Sequence, residues 1–151
     1  MDGSAVDEPW RTVVEEAGEW AGWERSESDP FELHAGPFYT RRDAQGRWVS
    51  AFRAERKHMN GGGFMHGGCL ATFADYAIFM FARDELTGSG SVTASLNTEF
   101  LDGAEEGELI EARGEVTRAG GSMVFVRGIA SSAGRPLLNF SAIIKKVRRK
   151  G

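Results

Sequence analysis

The stretch from His58 to Arg83, HMNGGGFMHGGCLATFADYAIFMFAR, limits what this chain can fold into more than any other. It opens on a loop that carries Asn60 and His66, and three consecutive glycines keep that loop out of regular structure. From Gly67 to about Leu86 the pattern predicts one long helix. Small residues at its start (Gly67, Gly68, Ala71, Thr72, Ala74) permit close approach of a neighbouring backbone. Phe73, Ile78, Phe79, Met80 and Phe81 then cover nearly every face, and a helix that is apolar all round is buried all round. Between Cys69 and Ala82 the one charged side chain is Asp75. An unpaired buried carboxylate is costly, so the fold has to wrap this helix and also give Asp75 a purpose.

The flanks supply the wrapping. Pro37–Arg41 and Arg47–Arg56 read as strands around a turn at Asp43–Gly46, and together they form a hairpin. Four more strand segments follow the helix, at 91–101, 108–118, 123–131 and 136–147, separated by short turns. In the first, Val92, Ala94, Leu96 and Phe100 alternate with Thr93, Ser95, Asn97 and Glu99. Four consecutive strands of this kind predict an antiparallel meander. A hairpin, a buried helix and a meander add up to an α+β fold, an antiparallel sheet curved around one helix. Such a sheet leaves an edge strand needing cover, which points to a dimer.

Before the hairpin, Trp10, Val13, Val14, Ala17, Trp20 and Ala21 fall at helical spacing over residues 7–23, with Asp7 and Pro9 as a plausible start. The expected organisation is thus an N-terminal helix and loop over 1–30 and one domain over 31–151. A length of 151 residues suits a single core, and 41% hydrophobic with 26% charged residues is ordinary for a soluble globular protein. The net charge of −4 argues against a general nucleic-acid partner, and the apolar run is too short and too charged for a membrane span. Residues 1–29 hold nine acidic side chains and lack the cationic and apolar regions of a secretory leader, so a cytoplasmic location is expected. The lone Cys69 excludes an intramolecular disulfide and reads as a small buried residue rather than a nucleophile.

Chemistry concentrates where loop meets helix. Gly67 and Gly68 sit at the predicted helix N-terminus, where free N–H groups and the helix dipole favour a developing negative charge. That is a natural oxyanion hole for acyl transfer. Asp75 lies about 12 Å further along the same helix, too far for both groups to act on one thioester carbon within a single chain. If both are catalytic, two subunits related by a two-fold axis bring them together. Blander roles stand beside these: His66 bracing the loop, Asn60 satisfying its backbone, Asp75 accepting from nearby donors. His34, His58 and His66 lack zinc-type spacing, no G-x-S-x-G elbow supports a serine triad, and no P-loop pattern follows the glycines.

Asn60, then His66-Gly67-Gly68, then Asp75, followed by Val92-Thr93-Ala94-Ser95-Leu96-Asn97, resembles the hotdog-fold acyl-CoA thioesterases of the PaaI-like, thioesterase-superfamily-member-2-like group. The likeness covers roughly residues 33–147. It implies a homodimer with a continuous sheet and shared sites, usually assembled into a homotetramer. It implies Asp75 as general base or nucleophile, the Gly67 N–H polarising the carbonyl, Asn60 and His66 orienting the substrate or water, and Thr93 helping to hold the attacking water. The substrate would be an acyl-CoA, with coenzyme A part of the substrate and no separate cofactor. The loop Gly61-Gly62-Gly63-Phe64-Met65 is more glycine-rich than is common in that group.

Coenzyme A phosphates need cations, and Arg118, Arg148, Arg149 and Lys150 are the candidates, with a solvated charged surface as the plainer reading. Phe64, Met65, Phe79 and Phe81 are candidates for an acyl pocket, although apolar residues beside a buried helix are commonly plain core. Two rival functions fit the same fold. An enoyl-CoA hydratase resembles a different motif, with its Asp and His close together. A non-catalytic acyl-CoA-binding module leaves Asp75 unexplained.

Overall fold

The structure is a computed structural model that describes residues 11–148. Eight strands run in chain order: β1 Thr12–Val14, β2 Glu24–Ser26, β3 Tyr39–Arg42, β4 Trp48–Arg53, β5 Gly90–Phe100, β6 Leu109–Ala119, β7 Met123–Ser132 and β8 Arg135–Val147. A short helix α1 spans Pro30–Ala35, and the long helix α2 spans Gly67–Phe81. All strands join one sheet in the order β1-β2-β3-β4-β6-β7-β8-β5, and every neighbouring pair is antiparallel. The sheet curls around α2, which packs against β4, β5, β6, β7 and β8. Leu70, Phe73, Ala74, Ala77 and Ile78 of α2 are at most 2% exposed, as a helix without a polar face requires. α2 ends at Phe81, earlier than the expected Leu86, and turns through Gly88 lead into β5.

Gly114 on β6 faces Gly128 on β7 across the ladder. A Cβ on Gly114 would sit 2.6 Å from the Phe81 ring, and one on Gly128 would sit 2.6 Å from Phe140. The two rings stack with centroids 6.3 Å apart. Missing side chains on the sheet are what admit the end of α2 to it.

Three expectations need correction. Residues 12–23 are not helical: β1 and β2 pair with each other and extend the sheet beyond β3. The run Thr12-Val13-Val14 is β-branched, and Gly18 and Gly22 adopt φ of +78° and +85°, which closes a turn where a helix would have to continue. Trp20 stacks on Tyr39 at 4.0 Å, and with Trp23, Val49 and Ala51 these rings form a second, smaller core on the outer face of β3 and β4. The first part of the expected helix, residues 7–10, lies outside the described residues.

The meander holds for β6, β7 and β8 but not for β5. β5 crosses to the far side of β8, so the Asp102–Gly107 segment is a crossover rather than a hairpin turn. Arg135 clamps it through Asp102 at 3.0 Å and Glu108 at 2.6 Å. Among the described residues the outer edge of β5 has no strand partner, as the curved-sheet reading anticipates. Helix α1 takes up Pro30–Ala35, where the sequence predicts no helix; Asp29 caps it by accepting from the Glu32 N–H at 2.9 Å.

The two facing glycines give the first prediction. Gly128→Ala must displace Phe140 and meets the Arg113 carbonyl at 2.9 Å, so it should lose about 1–3 kcal/mol in urea unfolding. Gly61→Ala, with nothing within 4 Å of its Cβ, should stay within about 0.5 kcal/mol of the parent.

Candidate active site

The structure sorts the expected site residues into two groups at different places along α2. At the N-terminus of α2, His66 is the N-cap, and its Nδ1 accepts from the Gly68 N–H at 2.9 Å. That bond puts the ring proton of neutral His66 on Nε2 and makes that atom a donor. It also uses up the Gly68 N–H. The Gly67 N–H has no partner among the described residues, and it is the group left at the positive end of the helix. The Phe100 ring lies against it, 3.2 Å from where a Gly67 Cβ would be.

The glycine-rich loop is a closed turn. Asn60 Oδ1 accepts from the Gly62 N–H at 2.9 Å and the Phe64 N–H at 3.2 Å, and the Asn60 N–H donates to the Phe64 carbonyl at 2.7 Å. The bland reading of Asn60 therefore holds for its oxygen, while its amide Nδ2 keeps two protons for another acceptor. Gly63 takes φ of +85°, the backbone conformation this turn demands. His58, buried at 4% exposure, is structural: Nδ1 accepts from the Glu55 N–H and Nε2 donates to the Ala35 carbonyl at 2.6 Å.

Two turns further on, half-buried Asp75 accepts from the Thr93 hydroxyl at 2.5 Å. Strict alternation put Thr93 on the face opposite Leu96. A bulge between Thr93 and Ser95 shifts the register by one residue, so that Thr93 and Leu96 both face inward. The bulge is what aims Thr93 at Asp75. Asp75 and Thr93 therefore come together within one chain, whereas Asn60, His66 and Gly67 gather about 12 Å of helix rise away, as the spacing demanded.

A residue that sequence reasoning missed stands beside Asp75. Glu32 of α1 is largely withdrawn from water, and that burial, with Asp29 and Asp75 nearby, pushes its carboxyl up to about 7. It lines a cavity of about 320 Å³ together with Tyr76, Phe79 and Met80 of α2 and Thr12 and Glu24 of the N-terminal strands. Glu24 is held below the usual carboxylate range by Arg83, which it meets at 2.6 and 2.9 Å. A larger groove of about 670 Å³ lies on the outer sheet face, where Arg113 and Arg127 are already paired with Asp43 and Glu115.

Of the other candidates, Met65 and Phe81 belong to the core, Phe64 is 51% exposed and Phe79 lines the cavity. Burial pushes the Cys69 thiol up to about 11, which suits a packing role. Arg118 and Arg148 are exposed at the sheet end where β5 begins, opposite the end where Phe100 meets Gly67. Arg149 and Lys150 lie outside the described residues.

A family model described as the thioesterase superfamily matches residues 62–138, half of the chain, from the glycine loop through α2 to β8. A protein of Pseudomonas aeruginosa provisionally named as an esterase is 34% identical over 117 residues, covering 77% of this chain and 87% of its own length. The chain belongs to the thioesterase superfamily. Among solved structures, the PaaI protein of the E. coli phenylacetic acid degradation operon superposes with a TM-score of 0.69 at 18% identity, covering 80% of this chain and 86% of its own. A hypothetical thioesterase from Streptococcus pneumoniae, solved with coenzyme A, gives 0.69 at 16% identity, covering 79% and 93%. The architecture is thus the hotdog fold, and the protein is a thioesterase. Among the described residues, no helix of this thioesterase is long and apolar enough to cross a membrane.

Glu32 gives a test of the electrostatics. Its carboxyl ionises near the ordinary 4.5 when unfolded but near 7 when folded, so between those values the unfolded state gains more from ionisation. Glu32 therefore detracts increasingly from stability as pH rises through this window, and Glu32→Gln removes the effect. The variant should gain stability over the parent at about pH 8.5 relative to about pH 4. An equal difference at both pH values would sink the assignment.

Proposed function

We propose that the protein hydrolyses an acyl-CoA thioester at a site shared by two copies of the chain. The hydrogen bond between Thr93 and Asp75, with the unpartnered Gly67 N–H at the far end of the same helix, carries this reading. Antiparallel pairing of the free β5 edge with the β5 of a second copy lays the Phe100 end of one strand beside the Gly90 end of the other. Gly67 adjoins Phe100 and Asp75 adjoins Thr93, so this pairing carries the oxyanion donor of one subunit toward the carboxylate of its partner.

Thr93 occupies one oxygen of Asp75 and leaves the other to act as general base on water. The hydroxyl of Thr93 still has a lone pair that accepts a hydrogen bond from the same water. As the hydroxide adds to the thioester carbon, negative charge develops on the carbonyl oxygen and is met by the Gly67 N–H. His66 Nε2–H and Asn60 Nδ2 donate to the substrate carbonyl and orient it. Collapse of the tetrahedral intermediate expels the coenzyme A thiolate, which takes up the proton. Arg118 and Arg148, with Arg149 beyond them, supply cations for the phosphates at the sheet end that this dimer brings to the partner's loop.

Release of free thiol from a panel of acyl-CoAs measures the activity. Asp75→Asn should lower kcat by roughly 10²–10⁴-fold with the fold intact. Mixing separately inactive Asp75→Asn and His66→Ala chains under exchange should restore roughly a quarter of parental turnover, since half the dimers then hold one intact site of two. An unchanged kcat in Asp75→Asn defeats the assignment of the base, and no recovery on mixing defeats the shared site.

A further inference from the structure

The cavity beside Asp75 has a wall that the matched family segment does not supply. Thr12, Glu24, Glu32 and Thr40 all precede residue 62, where the thioesterase match begins. Against them stand Tyr76 and Phe79 of α2, the first next to Asp75 in sequence and the second one turn beyond it. At about 320 Å³ the space falls at the lower end of the roughly 300–1,000 Å³ usual for small-molecule sites. Phe79 and Met80 give it an apolar side.

Its polar side is unfinished. Tyr76 is only 6% exposed, its ring packs against Phe38 and Phe73, and its hydroxyl makes no hydrogen bond among the described residues. A buried phenol usually finds a partner. The Tyr76 hydroxyl instead sits in the fields of Glu32, Glu24 and Arg83 on the cavity wall. Glu24 and Arg83 satisfy each other, but the Glu32 carboxyl has no hydrogen bond or ion pair among the described residues, and the carboxylates of Asp29 and Asp75 act on it unfavourably. The half-buried Glu32 carboxyl is an acceptor without a partner among the described residues, and the Tyr76 hydroxyl can both donate and accept, so a polar group of a ligand can complete the site.

We propose that this cavity holds the acyl group of the thioester, and that Tyr76 and Glu32 select an acyl chain whose far end carries a hydrogen-bond donor, a hydroxyl or a primary ammonium. The proposal rests on the thioesterase reading and adds its substrate class. The apolar wall of Phe79 and Met80 takes the methylene chain, and the donor at its far end reaches Glu32 and Tyr76. Specificity thus comes from the N-terminal strands and α1, while the chemistry comes from α2 and β5.

The test compares hexanoyl-CoA, ω-hydroxyhexanoyl-CoA and ω-aminohexanoyl-CoA. The two donor-bearing thioesters should show kcat/KM on the order of tenfold above hexanoyl-CoA, because a site built for a donor rejects the analogue that lacks it. Tyr76→Phe and Glu32→Gln should each bring that ratio toward one. If the ammonium is the natural group, its advantage should grow as pH rises through about 7, where Glu32 becomes charged; a hydroxyl advantage should not. Hexanoyl-CoA turning over as fast as both rivals in the parent protein, or a ratio untouched by both substitutions, overturns the proposal while leaving the thioesterase reading standing. If no thioester is cleaved, that reading fails instead. Calorimetric binding of the same three compounds to the parent protein then decides the cavity, with equal affinities overturning it.

Discussion

A helix with no polar face cannot rest on one side of a flat sheet, and most of this structure follows from that constraint. α2 is closed in by β4, β6, β7, β8 and β5, and the sheet has to curl to bring both flanks to it. Curling requires places where backbone and ring can approach, and Gly114 and Gly128 provide them under Phe81 and Phe140. Roughly 25 cal/mol per Å² of apolar surface favours this burial. Asp75 stands on the flank toward β5, where the sheet ends.

That flank is where packing and chemistry conflict. A helix satisfies its own backbone but offers nothing to a carboxylate in its interior, and Asp75 needs a donor from elsewhere. An uninterrupted β5 would have turned Thr93 away from it. The bulge after Thr93 changes which residues face inward, giving Asp75 its hydrogen bond while Leu96 still packs into the core. A local irregularity in the strand thus reconciles a buried helix with a polar group on it. The same regular helix that holds Asp75 also fixes its separation from the free Gly67 N–H, which is why a second chain enters the functional reading.

What could be read from the residues follows the range over which each signal acts. α2, β4, β6, β7 and β8 were legible because burial on one face, or on all, imposes a period that survives in the sequence. The two clusters of site residues were legible for the same reason, since helix geometry is rigid. Features set by a single residue were not. Thr93 and Leu96 share a face only because one extra residue slips into β5, and nothing in SVTASLN marks that slip. The placement of β5 beside β8 was equally hidden, because a six-residue connection serves a hairpin or a crossover alike and the Arg135 clamp joins residues far apart in the chain.

The N-terminal residues show how a pattern can be real and its cause mistaken. Val13, Val14, Ala17 and Trp20 fit helical spacing, yet their periodicity arises from two different surfaces. Thr12–Val14 pair in the sheet, and Trp20 and Trp23 pack on its outer face. Of the acidic side chains here, Glu15 meets Arg25, Glu19 meets Arg53 and, just beyond the segment, Glu24 meets Arg83. Exposed ion pairs contribute little stability one at a time. Their consequence here is geometric: Glu24 and Arg83 tie β2 to the end of α2 on the wall of the cavity that Glu32 and Tyr76 also line. A helix over the same residues would have lain on the sheet and contributed no such wall. The part of the chain that precedes the matched family segment is therefore the part that shapes the space next to Asp75.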